Sequence, residues 1–180
     1  RRNMMQSFDN KKFMESDVAL YGMFISVALV MSYIEAIIPI KPPVPGMKLG
    51  LANIIVIWVM YAMGIKPAVI ISILRVLLSG FLFGSIYSML FGLAGAALSI
   101  TVMYFVRKIN KFTMVGVSIA GGVSHNIGQI IVAVFILGNV RISYYLPFLM
   151  ISGIVAGVAI GIIGSILYRK IKILPQNKKK

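Results

Sequence analysis

Three stretches of this chain carry no charged residue at all: 76–106, 112–140 and 142–168. A helix needs about 20 apolar residues to cross the ~30 Å hydrocarbon core of a bilayer, and each stretch exceeds that. Soluble domains have about a quarter of their residues charged. Here charged residues make up 12% and hydrophobic residues 59%, so these stretches are too long and too apolar for soluble core helices. The sequence predicts a polytopic membrane protein. Lipid offers no partner for backbone N–H and C=O groups, so the spans must be helices or a closed barrel. A barrel would show ten-residue segments of alternating polarity, which are absent here. The predicted fold class is all-α.

Glycine, proline and charge punctuate the chain into six spans forming one compact bundle. Span 1 covers about 18–40, ending at the loop "KPPVPGMK" (41–48), whose three prolines and glycine cannot continue a helix. Span 2, about 49–63, is short and closes at Gly64-Ile65-Lys66-Pro67. Span 3 covers about 68–83, and Gly84-Ser85 connects it tightly to span 4, about 86–106. "RKINK" (107–111) leads to span 5, about 112–137, and "GNVRIS" (138–143) leads to span 6, about 144–168. The organisation is thus a polar N-terminal segment (1–17), a six-helix transmembrane domain (18–170) and a basic tail (171–180). The first apolar run ends in Glu35 and Pro39 without a small-residue cleavage pattern, so it reads as a span and not as a signal peptide.

Orientation follows from the 18 lysines and arginines. If the N-terminus is inside, the outer loops carry only Lys41, Lys48 and Arg141, and nearly all the rest flank the inner side. That asymmetry predicts cytoplasmic N- and C-termini and a multi-pass protein of the cell membrane, the bacterial plasma membrane. The net charge of +14 sits at segment ends, where membrane topology places it, so it does not indicate nucleic acid. With no cysteine, disulfides, thiolate metal sites and cysteine nucleophiles are excluded.

The topology assigns a depth to each polar residue. Glu35 falls in the outer third of span 1, Asn53 near the outer end of span 2, and Arg75 near the middle of span 3. His125, the chain's single histidine, lies with Asn126 and Gln129 in the middle to outer half of span 5. Lys48 closes the outer loop. A charge at mid-bilayer costs about 2.5–3.5 kcal/mol on insertion scales, so such groups face a cavity or a partner. Gathered in the outer half, Glu35, Lys48, Asn53, Arg75, His125, Asn126 and Gln129 form a candidate substrate-binding pocket open to the outside. His125 and Gln129 share a helix face. Arg75, Lys48 and His125 set against Glu35 suit a carboxylate, phosphate or acidic ring group. The same residues also read as one structural ion pair with His125 and Gln129 as interhelical glue. Small residues spaced by four in span 1 (Gly22 and Ser26; Ala28, Ser32 and Ala36) make a candidate face for docking another membrane subunit, or for packing the bundle itself. Gly92, Gly95 and Ser99 in span 4, and Gly153, Gly157 and Gly161 in span 6, suit internal packing.

Catalytic equipment is sparse. The four acidic residues are Asp9, Glu15, Asp17 and Glu35, so no aspartate cluster exists to hold Mg²⁺ for prenyl diphosphate chemistry. No GxxxxGK[ST] loop occurs, no Ser/His/Asp set forms, and one His with one Glu makes a poor metal site. A pocket without an engine suggests a substrate-binding membrane component with no cofactor of its own, not an enzyme, and without that loop the chain cannot itself hydrolyse ATP.

Three motifs in order, "PVPGMKLGLANI" (43–54), "LRVLLSGFLFG" (74–84) and "GGVSHNIGQ" (121–129), resemble the Gx transporter family, labelled heptaprenyl diphosphate synthase component I. The resemblance spans roughly 18–170, and the architecture resembles the S components of energy-coupling factor (ECF) transporters. It implies six-helix vitamin-binding subunits that dock on a membrane T subunit and two ATPases, with the first helix as docking face and the first loop as gate. The synthase label conflicts with the missing aspartates. Members are associated with flavin-based extracellular electron transfer and with quinone-related genes. The resemblance therefore implies uptake of a small vitamin-like solute. The alternative is a non-transporting anchor or a quinone- or flavin-binding subunit of a redox system.

Overall fold

The computed structural model describes residues 2–38 and 50–171. The predicted all-α class is observed: 89% is helix and no strand occurs among the described residues. The helices are α1 (Arg2–Ile37), α2 (Asn53–Ala62), α3 (Ile65–Phe83), α4 (Ile86–Lys108), α5 (Met114–Leu137) and α6 (Leu146–Lys170), with a 3-10 turn at Val140–Tyr145 before α6. Ser85 Oγ accepts from Ser88 N (3.2 Å) and starts α4, while Thr113 Oγ1 accepts from Gly116 N (3.4 Å) and starts α5. Gly138, in the left-handed region, ends α5.

Five segments are long and apolar enough to cross a bilayer: 18–37, 65–83, 86–108, 114–137 and 140–170. The stretch expected as span 2 departs from this. α2 has ten residues and, at about 1.5 Å per residue, reaches about 15 Å, half a hydrocarbon core. Gly50 (φ +88°) and Gly64 (φ +103°) turn the chain at either end. In exchange, Ile55–Met60 are buried without a break, because α1, α3 and α6 pack around α2. An apolar helix surrounded in this way needs no lipid-facing side.

α5 lies between α4 and α6, and small residues set both spacings. A Cβ on Gly157 would stand 2.6 Å from Ile119 Cα, and one on Gly161 would stand 2.6 Å from Val115 Cα. Toward α4, a Cβ on Gly128 would meet Ala94 O at 2.7 Å. Apolar lipid gives helices no hydrophobic reason to associate, so close backbone contact through glycine holds them by dispersion. The small residues of spans 4 and 6 thus serve the bundle. Two apolar clusters result. One surrounds α2 and includes Phe24, Trp58, Met103, Val117 and Ile160; the other holds Phe91, Ile130, Ala133 and Leu149. Along α5, His125 and Gln129 fall in the interval between them. The outer surface is apolar, with Phe81, Phe135 and Ile86 among its exposed side chains.

Candidate functional site

The site begins where α1 ends. Glu35, 8% exposed, reaches across to the turn before α2, and its Oε1 accepts from Gly50 N at 2.5 Å. That turn continues into the helix, with Asn53 N donating to Gly50 O (2.8 Å). Arg75 is 4% exposed in the middle of α3. Its Nη2 donates to Asn53 Oδ1 (3.1 Å), and Glu35 attracts it electrostatically. Glu35, Asn53 and Arg75, far apart in sequence, thus converge on the N-terminus of α2, whose dipole favours a carboxylate there.

α5 supplies the facing wall. His125 and Gln129 are 4% and 1% exposed. Gln129 and His125 share a cavity with Gly50, Arg75, Ser79 and Ser88. His125 also borders a second cavity, lined by Asn53, Ser99, Met103, Ser118 and Gly121. The imidazole is therefore a partition, lying so close to α4 that a Cβ on Gly95 would stand 2.8 Å from its Cε1. Each cavity encloses about 310 Å³ of non-atom space including its open mouth, with interior room for little more than a water molecule. A larger guest requires the helices or the imidazole to move. Among the described residues, Arg75 Nε and Gln129 Oε1 are buried without a hydrogen-bond partner, as are Ser32 Oγ, Trp58 Nε1 and Ser72 Oγ elsewhere, while His125 Nδ1 lies against Gly95 of α4.

Glu35, Asn53, Arg75, His125 and Gln129 are thus brought together. Asn126 is not. One residue on from His125, it is rotated by about 100° around the helix. Its Nδ2 donates to Leu149 O (2.6 Å) and to Ser152 Oγ (3.4 Å), which makes it a tie between α5 and α6 and corrects its expected place in the pocket. Lys48 and the loop "KPPVPGMK" lie outside the described residues. The expected docking face also splits. Ala28 and Ser32 are buried (0% and 1% exposed) against the bundle, while Gly22, Ser26 and Ala36 face outward. Steps of four along one helix form a stripe, but Gly22/Ser26 and Ala28/Ser32 begin six residues apart and fall on opposite sides. Sequence reasoning missed Gly50, Ser79, Ser88, Ser99 and Ser118. Serines are common in apolar helices, so nothing in their spacing separated these from the others. The "GLANI" run, a glycine three residues before Asn53, was the one usable signal for Gly50.

The family model described as heptaprenyl diphosphate synthase component I matches residues 24–167, which include every residue of the candidate pocket. No curated protein and no solved structure matches the chain.

Proposed function

The chain belongs to the heptaprenyl diphosphate synthase component I family, an S-component-like membrane family, and from that membership we propose that it is the substrate-binding subunit of an ATP-driven uptake system for a small vitamin-like solute. The carrying observation is the trio Arg75, His125 and Gln129. Each is more than nine-tenths buried in an apolar bundle and borders one cavity, and Arg75 Nε and Gln129 Oε1 are unpaired. An unpaired buried polar group costs about 1–3 kcal/mol, and structural networks normally satisfy such groups. A ligand that completes them accounts for their retention.

In this reading the chain makes six passages with both termini in the cytoplasm, α2 and its turns forming the short second one. The pocket opens to the outside of the bacterial plasma membrane. The distribution of lysine and arginine supports this orientation. A membrane T subunit and two ATPases supply the energy, and the exposed Gly22, Ser26 and Ala36 side of α1 is the docking face. The chain itself performs no prenyl transfer, since its four acidic residues include no aspartate cluster to hold Mg²⁺.

The test is mass spectrometry of small molecules and proteins retained by gently purified protein, beside a His125→Ala control. A solute retained by the wild type and lost from the variant, with ATPases and a T subunit co-purifying, supports uptake. A quinone or lipid retained equally by both, with a flavoprotein in place of ATPases, would overturn it in favour of a redox anchor.

A further inference from the structure

We infer that the end of the bundle where α4 and α6 finish binds the headgroup of an anionic phospholipid, with Arg107 as its fixed centre. Charge gives the first reason. Arg107 and Lys108 end α4, Lys111 follows in the next turn, and Arg169 and Lys170 end α6. No acidic side chain occurs after Glu35, so nothing on α2 to α6 neutralises these five cations. The carbonyl ends of the two helices offset only about half a charge each. The two ends are also joined. Arg107 lies over the Tyr61 ring, 4.5 Å from its centroid, and that ring meets the Tyr168 ring of α6 at 6.0 Å. Arg169 therefore follows directly on a residue that shares its partner with Arg107. At the opposite end the described turns carry a single cation, Arg141.

Arg107 is half-buried and already positioned, since one N–H donates to Met60 O and the Tyr61 ring supports the guanidinium. A guanidinium carries further N–H groups in a fixed fork that matches phosphate oxygens. Holding it in place beforehand lowers the ordering cost of binding. Apolar neighbours give the second reason. Lys108 stands one turn beyond Tyr104, and Arg169 and Lys170 stand about one turn beyond Ile166; all five side chains are exposed. A cation with an exposed apolar side chain beneath it matches a lipid, whose phosphate sits above its acyl chains. Basic groups between helix ends at the membrane surface hold anionic headgroups in this way. Inorganic phosphate or an acidic soluble protein would meet the charges and leave the apolar side chains unused.

Native mass spectrometry of the purified full chain, given equimolar phosphatidylglycerol and phosphatidylcholine with the same acyl chains, reads the preference directly. The expected result is about tenfold more phosphatidylglycerol than phosphatidylcholine retained by the wild type. Arg107→Gln, and separately Arg169→Gln with Lys170→Gln, should each cut that preference severalfold. Arg141→Gln, which removes a charge from the other end, should leave it unchanged. The comparison of the two lipids needs no variant, and Arg169 and Lys170 are exposed, so the test stands even if Arg107→Gln fails to fold. Equal retention of the two lipids by the wild type overturns the inference. So does a preference that Arg141→Gln reduces as far as the α6 pair does, because net charge would then explain it. Displacement of the bound lipid by inorganic phosphate or by poly-glutamate overturns it as well, since charge alone would be recognised. The result does not depend on which solute, if any, the central site holds.

Discussion

Gly50 joins a backbone requirement to a polar one. Its φ of +88° is strained for any residue with a side chain, and its N–H holds the Glu35 carboxylate. A Cβ there would also stand 2.7 Å from Asn53 Nδ2, the amide whose oxygen receives Arg75. The left-handed region costs an L-residue about 1–2 kcal/mol. Gly50→Ala is therefore expected to lower thermal stability in detergent by that amount or more. Gly22→Ala, at an exposed helical glycine with nothing within 4 Å of the new carbon, should leave it unchanged. Equal melting temperatures for Gly50→Ala and wild type would show that the turn tolerates a side chain. Arg75 is the second residue of this kind. Its Nη2 holds Asn53 Oδ1, and removing the partner of a buried acceptor costs about 1–3 kcal/mol. Arg75→Ala should lose about that amount in a denaturant titration and Arg75→Lys less, because Lys keeps the charge although it lacks the forked donors that reach Asn53.

At the scale of the element, α5 is held on both sides by contacts too close for side chains. Extra atoms in such a contact force backbone shifts worth about 1–3 kcal/mol. Gly157→Leu, against Ile119 Cα, is expected to destabilise by at least that much, with the loss read as earlier unfolding in a detergent melt. The polar tie from Asn126 to Leu149 O is a separate contribution. Interhelical hydrogen bonds in membranes average about 0.6 kcal/mol, with a maximum near 1.7. Asn126→Leu should cost an amount in that range and leave ligand binding intact, because the amide turns to α6 and away from Arg75. Loss of binding in Asn126→Leu would return this residue to the pocket. α2 shows a different device. Arg107 from α4 donates to Met60 O near the C-terminus of α2 and lies over the Tyr61 ring, 4.5 Å from its centroid. A short helix ending inside the bundle has orphan carbonyls, and a cation at that end satisfies one and matches the dipole.

At the scale of the whole molecule, orientation is the property with the most direct test. The chain has no cysteine, so a single introduced thiol reports its own location. Asn110 and Asn139 sit in exposed turns at opposite ends of α5. With cytoplasmic termini, Asn139→Cys in intact cells reacts with a membrane-impermeant maleimide and Asn110→Cys reacts only after lysis. The reverse pattern would invert the bundle and place the pocket on the cytoplasmic side.

Much of this architecture was legible in the sequence because lipid imposes coarse constraints. Long uncharged runs must be helical, and glycine, proline and charge mark where they stop, so the limits of α3 to α6 lie within a few residues of those expected. The polar residues of the site were visible because Glu35, Arg75 and His125 are conspicuous in an apolar chain. What sequence could not decide was direction and reach. Whether Asn126 faces its neighbour His125 or the next helix depends on where α6 packs. Whether Ala28 and Ser32 are surface or core depends on which side of α1 meets the bundle. The length of α2 depends on its being enclosed by three helices, which relieves it of spanning the bilayer alone. Composition and periodicity are local along one chain, and so they set the helices and the polar inventory. The unpaired Arg75 and Gln129 atoms beside one cavity arise from side chains on different helices, and only their tertiary packing brings them together.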